Sequence, residues 1–157
     1  MINIAEIYDL ISRAFHKSDN FFHWGDNAII QGSLANLPAP DDISKRFRDD
    51  EYFAIVNVES IQPENAGNDE LLRINYNYLI TLCHKGKTGD LTKLRNDMVN
   101  KFYRGWCRFW KETYGYIENT EDISLSIPEL EMNIDIIAVQ FNGTITEIVS
   151  KGGIIHG

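Results

Sequence analysis

Apolar side chains recur at helical spacing near the start of the chain. Ile4, Ile7, Leu10, Ile11, Ala14 and Phe15 form one stripe, which predicts an amphipathic helix over 3–17. Asn3 can cap it, Glu6 follows three residues on, and Ser18-Asp19-Asn20 ends it. The period then shortens to two. Phe53, Ala54, Ile55, Val56 and Val58 predict a strand over 52–60. Leu72, Ile74, Tyr76, Tyr78, Ile80 and Leu82 alternate with Arg73, Asn75, Asn77, Leu79, Thr81 and Cys83. That alternation predicts a long strand over 71–84 with one buried face and one mostly polar face. These two strands are expected to pair as an antiparallel hairpin around a polar loop at 62–69.

A turn at 84–89 leads to Asp90, a good N-cap for a second helix over 91–113. At about 100° per residue, Leu91, Leu94, Met98, Val99, Phe102, Tyr103, Trp106, Phe109 and Trp110 cover one half of it. The final third is strand-like. Ile123, Leu125 and Ile127 alternate with serines, and apolar runs at 132–141 and 144–149 flank Asn142-Gly143. Asn-Gly between such runs predicts a hairpin turn, because a type I′ turn needs positive φ twice. The stretch 20–51 lacks a period. Gly32, Pro38 and Pro40 punctuate it, so it is expected to be a partly ordered connection, with a short apolar piece at 28–30 and one or two helical turns at 41–47; either short elements lie within it or it serves an interface. The expected class is α+β: one domain over 1–150 and a flexible tail at 151–157. An antiparallel or mixed sheet of four to six strands packs against the N-terminal helix and a long central helix.

Composition narrows the setting. The chain has 157 residues, 43% of them hydrophobic, enough for a core without staples. Its two cysteines, Cys83 and Cys107, make no disulfide framework, which points to a reducing compartment. No apolar run approaches the roughly 20 residues of a membrane span. The first residues lack a basic segment followed by an apolar one, so no signal peptide is expected there.

Charge is the most uneven feature. Residues 1–84 carry a balance of −7, residues 85–111 of +6, and residues 112–150 hold eight acids and no Lys or Arg; the whole chain has a formal net charge of −8. The basic middle segment has three interpretations: a solvated helix face, one flank of an interface between copies of the chain, or a nucleic-acid surface. The net negative charge and the placement of the aromatics on the opposite half of the helix weigh against the last. In the second, Lys93, Lys101, Arg104, Arg108 and Lys111 of one copy meet Glu121, Asp122, Glu129 and Glu131 of the next.

Motifs for chemistry are sparse. His16, His23, His84 and His156 are far apart and no metal-ligand spacing exists, so no metal or other cofactor is expected. Cys83 and His84 are adjacent strand residues and point to opposite faces. Gly86-Lys87-Thr88 lacks the earlier glycine of a phosphate loop. Asp41-Asp42, Asp49-Asp50-Glu51 and Glu121-Asp122 are expected in turns. His23-Trp24-Gly25-Asp26 is the one unusual local cluster, and a buried Trp beside a turn explains it. An enzyme is not expected.

The order of pieces resembles that of the tail terminator and related neck proteins of tailed bacteriophages. The matching pieces are a helix like 3–17, an irregular Pro-containing stretch like Leu37-Pro38-Ala39-Pro40, a strand at 52–60, a polar loop, a long strand at 71–84, a Gly-containing turn, a helix at 90–113, and further strands. The resemblance implies a virion protein without catalytic residues, assembled in the host cytoplasm. It implies a ring, commonly of six, that caps the tail tube and meets the head-side connector, with DNA only as passing cargo and no membrane partner. An acidic lumen suits such cargo. The loop at 62–69 and the 142–143 turn would then contact neighbouring rings. The competing expectation is an acidic interaction module of inhibitor or immunity type, steered to a basic partner. A small enzyme built around His23, Trp24 and Asp26 is the third class.

Overall fold

The densest apolar runs of the chain make the middle of a mixed sheet, buried from both sides. The computed structural model describes residues 4–16, 24–32, 40–65, 70–86, 91–111, 117–119, 124–126 and 136–150. In chain order these are α1 (Ile4–His16), β1 (Trp24–Gln31), α2 (Pro40–Arg46), β2 (Tyr52–Asn65), β3 (Leu71–Lys85), α3 (Leu91–Lys111), β4 (Ile117–Asn119), β5 (Ser124–Ser126) and β6 (Ile136–Ser150). The chain is therefore α+β. Strands β1-β2-β3-β6 form the body of the sheet, and the three-residue β4 and β5 both pair with the far edge of β6. Among the described strands only β1 and β2 run parallel; the other pairs are antiparallel.

The period-two pattern decides which face each residue occupies. Tyr52, Ala54, Val56, Ile74, Tyr76, Tyr78, Ile80, Leu82, Ile137, Val139, Phe141 and Ile145 share one face. There Ile7, Leu10 and Ile11 of α1 and Met98 and Phe102 of α3 cover them, and the Phe102 ring stacks on Phe141 at 3.7 Å between centroids. The opposite face at the Tyr52 end holds Phe53, Cys83, Ala138 and Ala28, closed by Ile43 and Phe47 of the α2 region. Phe47 stacks on Phe53 at 4.5 Å. Burial on both sides explains why 52–56 reads as a continuous apolar run rather than an alternating one. Among the described residues, no helix is long and apolar enough to cross a membrane.

Three expectations need correction. First, the short apolar piece at 28–30 belongs to an eight-residue strand, β1, while α2 supplies the helical turns expected at 41–47. The Gly25-Asp26-Asn27 segment has low strand propensity, and the register slips there, with Trp24 opposite Tyr52 and Ile29 opposite Ala54. Pairing on either side of this bulge, at Trp24 and at Ile29–Gln31, holds the strand on β2. Second, β2 runs to Asn65, so the strand takes in much of the expected loop at 62–69; residues 66–69 lie outside the described residues. Third, Asn142-Gly143 is not a turn. β6 passes straight through it, with Tyr78 opposite Gly143 and Leu79 opposite Asn142, and neither residue is among those with positive φ. Gly143 is required for a different reason: a Cβ there would lie 2.7 Å from Cζ of Tyr78. The glycine makes room for an aromatic ring on the neighbouring strand. The tail at 151–157 lies outside the described residues.

Candidate functional site

Helix α3 is amphipathic in the manner its sequence predicts up to Arg104. Met98 and Phe102 are buried, Leu94 and Val99 half-buried, and Thr92, Lys93, Asn96, Asn100 and Arg104 exposed. Of the basic residues assigned to an interface, Lys93 and Arg104 are on the exposed side and Lys101 is half-buried at its border. Arg108 and Lys111 continue the same helix, but their side chains lie outside the described ones. Glu121, Asp122, Glu129 and Glu131 also lie outside the described residues. The structure thus groups Lys93, Lys101 and Arg104 on one helix and leaves the expected acidic counterpart unplaced.

A second constellation had no signature in the sequence. Register places Tyr52 opposite His84, and the turn at 48–51 folds over that end of the sheet. The amide of Asp50 donates to the carbonyl of Lys85 (2.7 Å), and the amide of Lys85 donates to the carbonyl of Glu51 (3.0 Å). Glu51 is buried because its Oε1 accepts from the amide of Arg48 at 2.8 Å. Lys85 Nζ donates to the Phe47 carbonyl at 2.8 Å and lies 3.6 Å from Asp49. Asp50 adopts φ 69° and Gly86 φ 123°. A Cβ on Gly86 would come within 3.1 Å of the Asp50 amide, so only glycine fits this crossing.

His84 sits inside this turn, 4% exposed, with Nε2 3.5 Å from Oδ1 of Asp50 and its ring edge-on to Tyr52 at 4.8 Å. Its Nδ1 is buried and has no hydrogen-bond partner among the described residues. Burial lowers the imidazole pKa from its ordinary value, and the Asp50 and Asp49 carboxylates offset this in part. The neutral ring with its proton on Nε2 fits the site, since a charged ring would bury a second donor without an acceptor. The Tyr52 hydroxyl is pushed up by burial and by the carboxylates of Asp97 and Asp50. Cys83 faces the other way, and burial pushes its thiol up to about 12, so it carries no thiolate near neutral pH.

Polar side chains on the face opposite α1 and α3 pair across strands. Thr144 donates to Asn77 Oδ1 (2.8 Å), Asn77 donates to Ser60 (2.7 Å), Thr146 donates to Asn75 (2.8 Å) and Gln140 donates to Thr81 (3.0 Å). These bonds tie β2, β3 and β6 together in this register. No group of three or more His, Cys, Asp or Glu able to hold a metal exists among the described residues. His23 lies outside them, and the side chains of Trp24 and Asp26 in β1 are outside the described ones. No family model and no curated protein matches this chain.

Proposed function

We infer that the chain is a structural protein without catalytic residues, similar in role to the tail terminator and neck proteins its element order resembles. In this role copies associate head to tail into a ring, six being the common number. The ring sits at the end of a tail tube, meets the head-side connector and lets DNA pass. The six-stranded sheet and the 21-residue α3 form the rigid frame of each subunit. The observation that carries this is the charge order: a +6 segment, centred on α3 and exposing Lys93 and Arg104, lies between two strongly acidic ones. A molecule whose opposite charges are sorted into separate surfaces attracts copies of itself, and a heterologous contact closes into a ring when its rotation allows. Light scattering coupled to size exclusion at low salt, alone and with tail tube protein added, tests it. A discrete ring-sized species, or a ring at the tube end by negative-stain imaging, is expected. A monomer under both conditions removes the proposal.

A further inference from the structure

The end of β3 buries an ionisable ring close beneath water. His84 is buried, yet the side chains of Asp49 and Asp50, in the turn that lies against it, are 83% and 82% exposed. Because Asp50 itself touches Nε2 of the ring, the turn is a wall one residue thick on that side. Nδ1, on the other side of the ring, has no hydrogen-bond partner among the described residues. Few bonds hold the wall in place. The backbones meet through Asp50 N–H to the Lys85 carbonyl and Lys85 N–H to the Glu51 carbonyl, and Lys85 Nζ ties down Phe47 and Asp49. β3 itself is paired with β6 along its whole length, Leu71 to Lys85. Lifting the turn therefore costs far less than unfolding the sheet.

The charges around the ring come from four directions. The turn supplies Asp49 and Asp50, which favour a proton on the ring, Glu51, whose carboxylate accepts from the Arg48 amide, and exposed Arg48. β2 supplies Tyr52, whose hydroxyl faces the charges of Asp97 on α3 and of Asp50. On β3 the neighbouring Lys85 is directed to Phe47 and Asp49. On β6 the residue opposite is Ile137, which has no charge. Acid adds the second ring proton at Nδ1. The carboxylates favour that proton, whereas burial, the larger influence, opposes it, and the new N–H lacks an acceptor among the described residues. Once the turn is lifted the ring meets water and regains its ordinary proton affinity, so falling pH favours the lifted form. We propose that the 48–51 turn is an acid-released latch on His84, closed over the end of β3 while the ring is neutral and lifted when Nδ1 takes a proton. Release frees the Lys85 backbone, while Ile43 and the Phe47–Phe53 stack still anchor the α2 region. The latch is independent of ring assembly.

Amide hydrogen exchange read residue by residue by NMR between about pH 7.5 and 5, corrected for the pH dependence of chemical exchange, tests it. The Asp50 and Lys85 amides are expected to be less protected than those of Ile80 and Leu82 in the middle of β3. Below about pH 6.5 their protection should fall by up to about tenfold per pH unit, as uptake of one proton requires. His84→Gln should abolish that fall. Asp50→Asn, which suits the same positive φ, should deepen it, and this variant decides the matter if His84→Gln does not fold. Protection at Asp50 and Lys85 that is flat with pH, or equal to that of Ile80 and Leu82 throughout, overturns the latch. So does a fall that survives unchanged in a folded His84→Gln.

Discussion

His84 and Gly143 show how single side chains are fixed by what stands opposite them. His84 has a pKa lowered from its ordinary value chiefly by burial. On acidification the unfolded chain takes up its proton first, near the ordinary pKa of about 6.5. This contribution is therefore complete above that pH and is lost as pH falls below it toward the lower folded value. A melting temperature that declines over this acid window is expected, and His84→Gln should flatten the decline. Asp50→Asn removes the charge that partly supports the protonated ring, so it should steepen the loss. A His84→Gln profile that parallels the wild type would place the acid sensitivity elsewhere. At Gly143 the Tyr78 ring occupies the space a Cβ would need. Gly143→Ala should destabilise by about 1–3 kcal/mol through overpacking. In a Tyr78→Leu background that penalty should shrink, a coupling that urea denaturation of the four-member cycle would measure.

Among the elements, α3 and α2 gain their stability from opposite faces of the sheet. Phe102 is 2% exposed and stacked on Phe141. Phe102→Ala should cost about 3–5 kcal/mol in urea denaturation, while Asn100→Ala on the exposed side should change stability by no more than about 0.5 kcal/mol. Equal losses at both positions would contradict the packing described. α2 is only seven residues long, too short to persist alone. Pro40 at its first position, acids at 41 and 42, and Lys45 and Arg46 in its last turn suit the helix dipole, and the buried Ile43 with the Phe47–Phe53 stack anchors it.

At the scale of the whole molecule, charge dominates. With a net charge of −8, the protein should hold duplex DNA poorly despite the cations of α3, since phosphate binding is electrostatic and scales with the number of contacts. Fluorescence anisotropy with a labelled duplex should show weak retention that disappears as salt rises. Tight, salt-resistant binding would instead favour a nucleic-acid role for the basic face.

The chain's own periodicities determined a good deal: the α+β class, the span of α1, the alternation that buries Ile74 to Leu82, the opposed directions of Cys83 and His84, and the exposed side of α3 as far as Arg104. Those features are local, because backbone geometry repeats every 3.6 or 2 residues whatever surrounds it. Tertiary structure decided the rest. It carried β1 through Gly25-Asp26-Asn27 as a bulge by pairing Trp24 and Ile29–Gln31 with β2, and it drew Asn142-Gly143 into β6, where Ile137, Val139, Phe141 and Ile145 keep one alternation on both sides of the pair. It also set Asp50 against His84. Each of these depends on which distant segment becomes a neighbour, a choice made by hydrogen-bond register and burial across the whole sheet and written in no single stretch of the chain.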